Sequence, residues 1–223
     1  MAITLIASTV KATADTNSVT TDAIDTTGAN LIVIVESIYG GVTTPTDSKS
    51  NGSWTGLTAQ TVNNESCRIY YHVAPTVGTG HTFTVTATAH YMAIAVFAFA
   101  GAHASAPFDV QNGSTGGGGE TSRQTGEITP SEAGCVVVTG VMTDPGTAHT
   151  MSGYTSVQVN YAAGVNLGCG GSYLIQTTAT PTNPTWTWTT GAVATAVIAS
   201  FKSAAGQVPY VVGGGVCVPG GVG

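Results

Sequence analysis

Residues 185–189 read Thr185-Trp186-Thr187-Trp188-Thr189, and residues 81–86 read His81-Thr82-Phe83-Thr84-Val85-Thr86. Successive side chains of a strand point to opposite faces, so large apolar residues alternating with Thr describe a strand with one buried and one wet side. Trp186, Trp188, Phe83 and Val85 are therefore expected in a core, and the Thr residues between them on an exposed polar ladder. Two other stretches, Ile32-Val33-Ile34-Val35 and Val136-Val137-Val138, are apolar without interruption, as strands covered on both faces are. Pro, Gly, Asn and Asp punctuate residues 75–78, 144–146 and 180–184 at the short intervals that separate strands. No amphipathic helical period emerges. The chain reads as all-β, an antiparallel β-sandwich of jelly-roll-like type.

The same elements recur in order. A polar turn feeds an apolar strand at residues 24–39 and again at 128–142. A small segment with an aromatic followed by Thr comes next, at Trp54-Thr55 and at Tyr154-Thr155. Tyr70 and Phe83 stand thirteen positions apart, as do Tyr173 and Trp186, and an apolar strand closes each half at residues 92–99 and 193–201. This spacing predicts two internally repeated halves, about 17–103 and 121–203, within a sandwich spanning 1–205, and matching core positions for Tyr70 and Tyr173. Two organisations fit: both halves feeding one core, or two small sandwiches joined near residues 111–125. The run from Asn112 to Glu120, with four consecutive Gly, reads as a flexible surface loop between the halves.

Composition narrows the function classes. Charged residues make up only 7% of the chain, against a globular norm of about 25%. Thr, Ser, Asn and Gly must therefore keep the surface wet. Five Lys and Arg scattered through a chain of net charge −6 form no basic stripe, which argues against nucleic-acid binding. No apolar run approaches the roughly 18 residues of a membrane helix, so no membrane partner is expected. Residues 1–10 lack the basic and apolar regions of a secretion signal and read as a first strand. Cys67, Cys135, Cys169 and Cys217 are widely separated, with no C-x-x-C spacing, and the first three read as small apolar fillers on strands.

The residues point to no catalytic group, metal or cofactor. His72, His81, His90, His103 and His149 carry no ligand spacing and read as solvated strand-end residues, although His81 and His90 could meet across a hairpin. No nucleophile elbow and no acidic calcium loop are present. Most carboxylates fall in apparent loops. Glu36 interrupts an apolar strand and reads as its wet end rather than as an inward carboxyl of raised pKa. Trp54 and Tyr154, flat rings amid hydroxyls and amides, are candidate glycan-stacking residues. Residues 206–223 are too apolar for a solvated linker and too rich in Gly and Pro for a core. Val208, Pro209, Tyr210, Val211, Val212, Val216 and Cys217 there form a candidate assembly arm.

Residues 19–34, with Asp25-Thr26-Thr27-Gly28-Ala29-Asn30, residues 46–58, with Gly52-Ser53-Trp54-Thr55-Gly56, and Pro107-Phe108-Asp109-Val110-Gln111-Asn112-Gly113 resemble β-sandwich structural modules of tailed-phage virion proteins. The resemblance covers roughly residues 17–203. It implies a non-enzymatic protein located in the virion, either a capsid decoration or cement protein or a tail or fibre component. Its partners would be the major capsid protein or tail proteins and further copies of itself. A host-surface glycan is the alternative partner, with the protein acting as a fibre adhesin.

Overall fold

The computed structural model describes residues 2–14, 16–41, 43–87, 91–159 and 167–204. Every element in them is a strand. The first half of the chain supplies β1 (Thr4–Ala14), β2 (Ser18–Thr20), β3 (Leu31–Tyr39), β4 (Thr46–Asp47), β5 (Thr55–Gly56), β6 (Gln60–Val62), β7 (Glu65–Val73), β8 (Phe83–Thr86) and β9 (Tyr91–Ala100). The second supplies β10 (Phe108–Gln124), β11 (Cys135–Asp144), β12 (Thr150–Met151), β13 (Thr155–Val159), β14 (Gly168–Gln176) and β15 (Thr185–Phe201). All pairings are antiparallel.

The sandwich is assembled half by half. One large sheet runs β1-β9-β3-β7-β5, with β6 also on β7, and the other runs β10-β15-β11-β14-β13, with β12 on β15. Each sheet thus begins with the first strand of its half, continues to the last, and then to an apolar strand, β3 or β11, followed by β7-β5 in one and β14-β13 in the other. A small sheet, β2-β8-β4, covers the outer face of the first large sheet. In the second half β10 and β15 do the equivalent work by running on. Their register breaks between Gly116 and Glu120 and again before Ser122, and beyond the breaks they pair as an outer two-stranded ribbon joined by β12. Bulges bend strands in this way.

Alternation within β3 explains the layering. Leu31, Val33 and Val35 face the other half, where they meet Val136, Val138, Val197 and Phe201 in the central core. Ile32, Ile34 and Ile38 face the small sheet and pack with Phe83, Val85 and Trp54. Both faces are therefore covered, as the uninterrupted apolar run requires. Aromatic rings tie the halves together: Tyr173 contacts Phe97 and Phe99 at 5.7 and 5.4 Å, and Tyr71 contacts Phe201 and Phe108 at 5.3 and 6.1 Å. At Gly140 the two sheets come so close that a Cβ would overlap the Val35 side chain.

Trp186, Trp188, Phe83 and Val85 are buried; Thr187 between the tryptophans and the flanking Thr86 and Thr189 are exposed, whereas Thr82, Thr84 and Thr185 are only half-exposed. Three expectations are corrected. The Gly run at 116–119 lies within the seventeen-residue strand β10 rather than in a flexible loop: residues 112–116 pair with β15, and Gly117 to Gly119 form the break in register before Glu120. Tyr70 and Tyr173 do not hold matching positions. Tyr70 faces the small sheet, whereas Tyr173 faces the other half, and its counterpart is Tyr71, which likewise packs on the central core. A one-residue change of register moves a side chain to the opposite face. Glu36, finally, is wholly buried on the inner side of the small sheet.

Candidate functional site

The strongest constellation of chemical groups lies under the small sheet. The bridge between Ile24 and His81 and the pairing of Asp47 with Phe83 bring three distant residues together. His81 Nδ1 lies 2.9 Å from Thr26 Oγ1, and His81 Nε2 lies 3.1 Å from Asp47 Oδ1. The same carboxylate oxygen accepts the Lys49 and Asn51 amides and the Asn51 side-chain amide, at 2.8, 3.4 and 3.2 Å. With Asp47 as acceptor, the imidazole carries its proton on Nε2 and accepts from Thr26 at Nδ1. The order hydroxyl, imidazole, carboxylate is that of a nucleophilic triad. Its setting is not.

Thr26 and His81 are fully buried, the imidazole stacks on Phe83 with centroids 4.3 Å apart, and Thr26 Oγ1 also accepts the Gly78 amide at 3.1 Å. No substrate atom can reach the hydroxyl in this arrangement. The group instead ties the 24–28 turn, β4 and the start of β8 to one another. Burial, the largest influence, holds the imidazole below its ordinary pKa, against the opposing pull of Asp47.

Glu36 and Glu65 are the other displaced carboxyls. Glu36 accepts the Thr43 amide and hydroxyl at 3.4 and 3.3 Å through Oε1, while Oε2 is buried without a hydrogen-bond partner. Burial pushes its pKa up to about 8 despite Thr43 and the neighbouring Arg68 guanidinium. That guanidinium donates to Leu57 O at 2.5 Å and Tyr70 Oη at 3.3 Å. Glu65, at the start of β7, is raised to about 7 by burial and by the neighbouring Asp144 carboxyl across the boundary between the halves. Thr43 also lines an open groove of about 630 Å³ with Asn17, Ser18, Gly40, Gly41, Thr86 and Ala87.

The histidines and aromatics are placed as follows. His81 and His149 are fully buried, contrary to the solvated reading, with His149 Nε2 2.9 Å from Thr143 Oγ1 and its ring between Trp186 and Trp188. Burial drives the His149 pKa down to about 4. His90 lies outside the described residues. Trp54 is 6% exposed and covered by His72 and Phe83, and Tyr154 is half-buried with its hydroxyl 3.0 Å from Thr182 Oγ1. Trp54 offers no free flat face. Cys67, Cys135 and Cys169 are unpaired and buried on β7, β11 and β14, where burial raises each thiol, Cys135 to about 11 and Cys169 to about 12. The assembly arm, with Val208 to Val212, Val216 and Cys217, lies outside the described residues.

Among the described residues no three His, Cys, Asp or Glu side chains are placed to share a metal ion, and no helix is long and apolar enough to cross a membrane. The groups that sequence reasoning missed are Thr26, Asp47, Glu65 and Asp144. No local spacing marks them, because only the strand register brings them together. Comparison with protein-family models, with curated proteins and with solved structures yields no match to this chain.

Proposed function

We propose that the chain is a non-enzymatic structural subunit of a virion, a capsid decoration or cement protein that assembles through its sandwich edges and its C-terminal arm. One observation carries the reading: the polar groups able to do chemistry, Thr26, His81 and Asp47, are consumed inside the scaffold as buried cross-links. What the surface offers is strand edges and hydroxyl-bearing strands. The phage-module resemblance of residues 17–203 supplies the setting, and the matching strand order of the two large sheets supports reading the halves as copies of one unit. Immunogold electron microscopy of particles from a culture that produces the chain tests this. Label on the capsid shell is expected. Chain recovered free of particles, or labelling only non-particulate material, overturns it.

The second reading, a fibre protein binding host-surface glycan, is favoured by the groove rather than by Trp54 or Tyr154. Asn17, Ser18, Thr43 and Thr86 present amide and hydroxyl groups suited to a saccharide there. Binding of the full chain to a glycan array, lost in Asn17→Ala, would select it over decoration.

A further inference from the structure

Among the described strands, β1 ends the first large sheet. Among the described residues β1 pairs with β9 alone, and β13 of the facing sheet runs near it without joining its ladder. A bulge interrupts the register between Leu5 and Ala7, leaving Ile6 41% exposed. From Ala7 to Ala14 the register is unbroken. Along Ala7 to Ala12 alternate residues thus present backbone donors and acceptors on the outer side, with Lys11, held to Asp22 at 2.9 Å, the single charged side chain on the strand. Natural proteins cover or interrupt such edges, since they template the addition of another strand.

The described chain ends near the Thr4 end of β1. Ser203 bridges Ala102, the Ala204 amide donates to Gly101 O at 2.7 Å, and Gly101 lies so close to Ala2 that a Cβ there would collide with the Ala2 carbonyl. Nineteen residues follow, and within them Val208-Pro209-Tyr210-Val211-Val212 has the β-branched and aromatic composition of a strand, with Gly213-Gly214-Gly215 after it. Pro209 restricts such a strand to an edge position.

Direction decides which edge it joins. An arm leaving at Ala204 reaches its own β1 at the Thr4 end, must pass the bulge, and runs in the direction of β1, so it pairs only in parallel. An arm from another copy can enter from the Ala14 end and pair antiparallel, the more stable ladder. We propose that residues 208–212 of one copy add as an antiparallel strand to the β1 edge of a second copy, reciprocally, in a two-fold dimer. This rests on the assembly reading above and names the surface through which assembly proceeds.

The test uses the full chain carrying Cys217→Ser, since the other three thiols are buried. One preparation carries Ser8→Cys and another Val211→Cys, and the two are mixed and treated with a short bis-maleimide. A crosslinked pair of chains on a denaturing gel is expected. Deletion of residues 206–223, with folding checked by circular dichroism, is expected to halve the mass measured by light scattering. If the deletion yields monomer but Ser8 and Val211 crosslink only within a doubly substituted chain, or not at all, the β1 assignment is overturned and the arm reading survives. If the deleted chain still self-associates, both fall.

Discussion

Glu36 shows how one side chain sets a pH response. Its native pKa of about 8 exceeds the ordinary 4.5, so between these values the native state holds a proton that the unfolded state has lost. Unfolding free energy therefore falls as pH rises through that window, by on the order of 3–5 kcal/mol. Gln mimics the protonated carboxyl and accepts the same Thr43 bonds. Glu36→Gln is thus expected to match the parent near pH 4.5 and to be more stable by a few kcal/mol at pH 8, measured by urea denaturation. Equal stability at pH 8 would refute the buried neutral carboxyl. His149 works in the opposite direction. With its native pKa lowered to about 4, the unfolded state takes up a proton below about 6.5 that the native state refuses, so stability is lost as pH falls from there toward 4. His149→Phe should flatten that acid limb, which would otherwise amount to about 3 kcal/mol.

At the scale of strands, the legible elements are those whose burial pattern is local. β3 and β11 announce themselves by uninterrupted apolar runs, and β8 and the start of β15 by alternation with Thr. β10 was not legible, because its Gly-rich run lacks any side-chain signal and its strand character comes from pairing with β15 on either side of the break at Gly117 to Gly119. The Thr26, His81 and Asp47 cross-link was illegible for a related reason: a register between separate strands assembles it. Strand packing also makes a prediction at the closest approach of the sheets. Gly140 on β11 leaves room for Val35 on β3, so Gly140→Ala overpacks the core and is expected to cost about 1–3 kcal/mol. Trimming Val35→Ala opens space at the same point. A double-mutant cycle by chemical denaturation should therefore show the pair less destabilised than the sum of the singles. Strict additivity would mean that the sheets relax independently there.

For the whole molecule, the question is whether the halves are separable. Each has its own outer layer, but the central core takes Val33, Val35, Phe97 and Phe99 from one half and Val138, Val197, Tyr173 and Phe201 from the other. Splitting the halves would expose these rings together, a loss that neither outer layer offsets, so unfolding is expected to be a single cooperative event. Native-state hydrogen exchange read by mass spectrometry across a urea series checks it: protection in β3 and in β11 should vanish at one common midpoint. Two midpoints would show two independent sandwiches. The Glu65 carboxyl, which faces Asp144 across the boundary, gives the same interface a pH dependence. Glu65 is raised to about 7, so the native state keeps its proton above 4.5, and this contribution to stability is lost as pH rises toward and past 7, when two carboxylates face each other. Glu65→Gln preserves a donor toward Asp144 and removes the charge. The common midpoint of β3 and β11 should then decline less between pH 6 and pH 9 than in the parent chain, and an unchanged decline would locate the alkaline sensitivity in Glu36 alone.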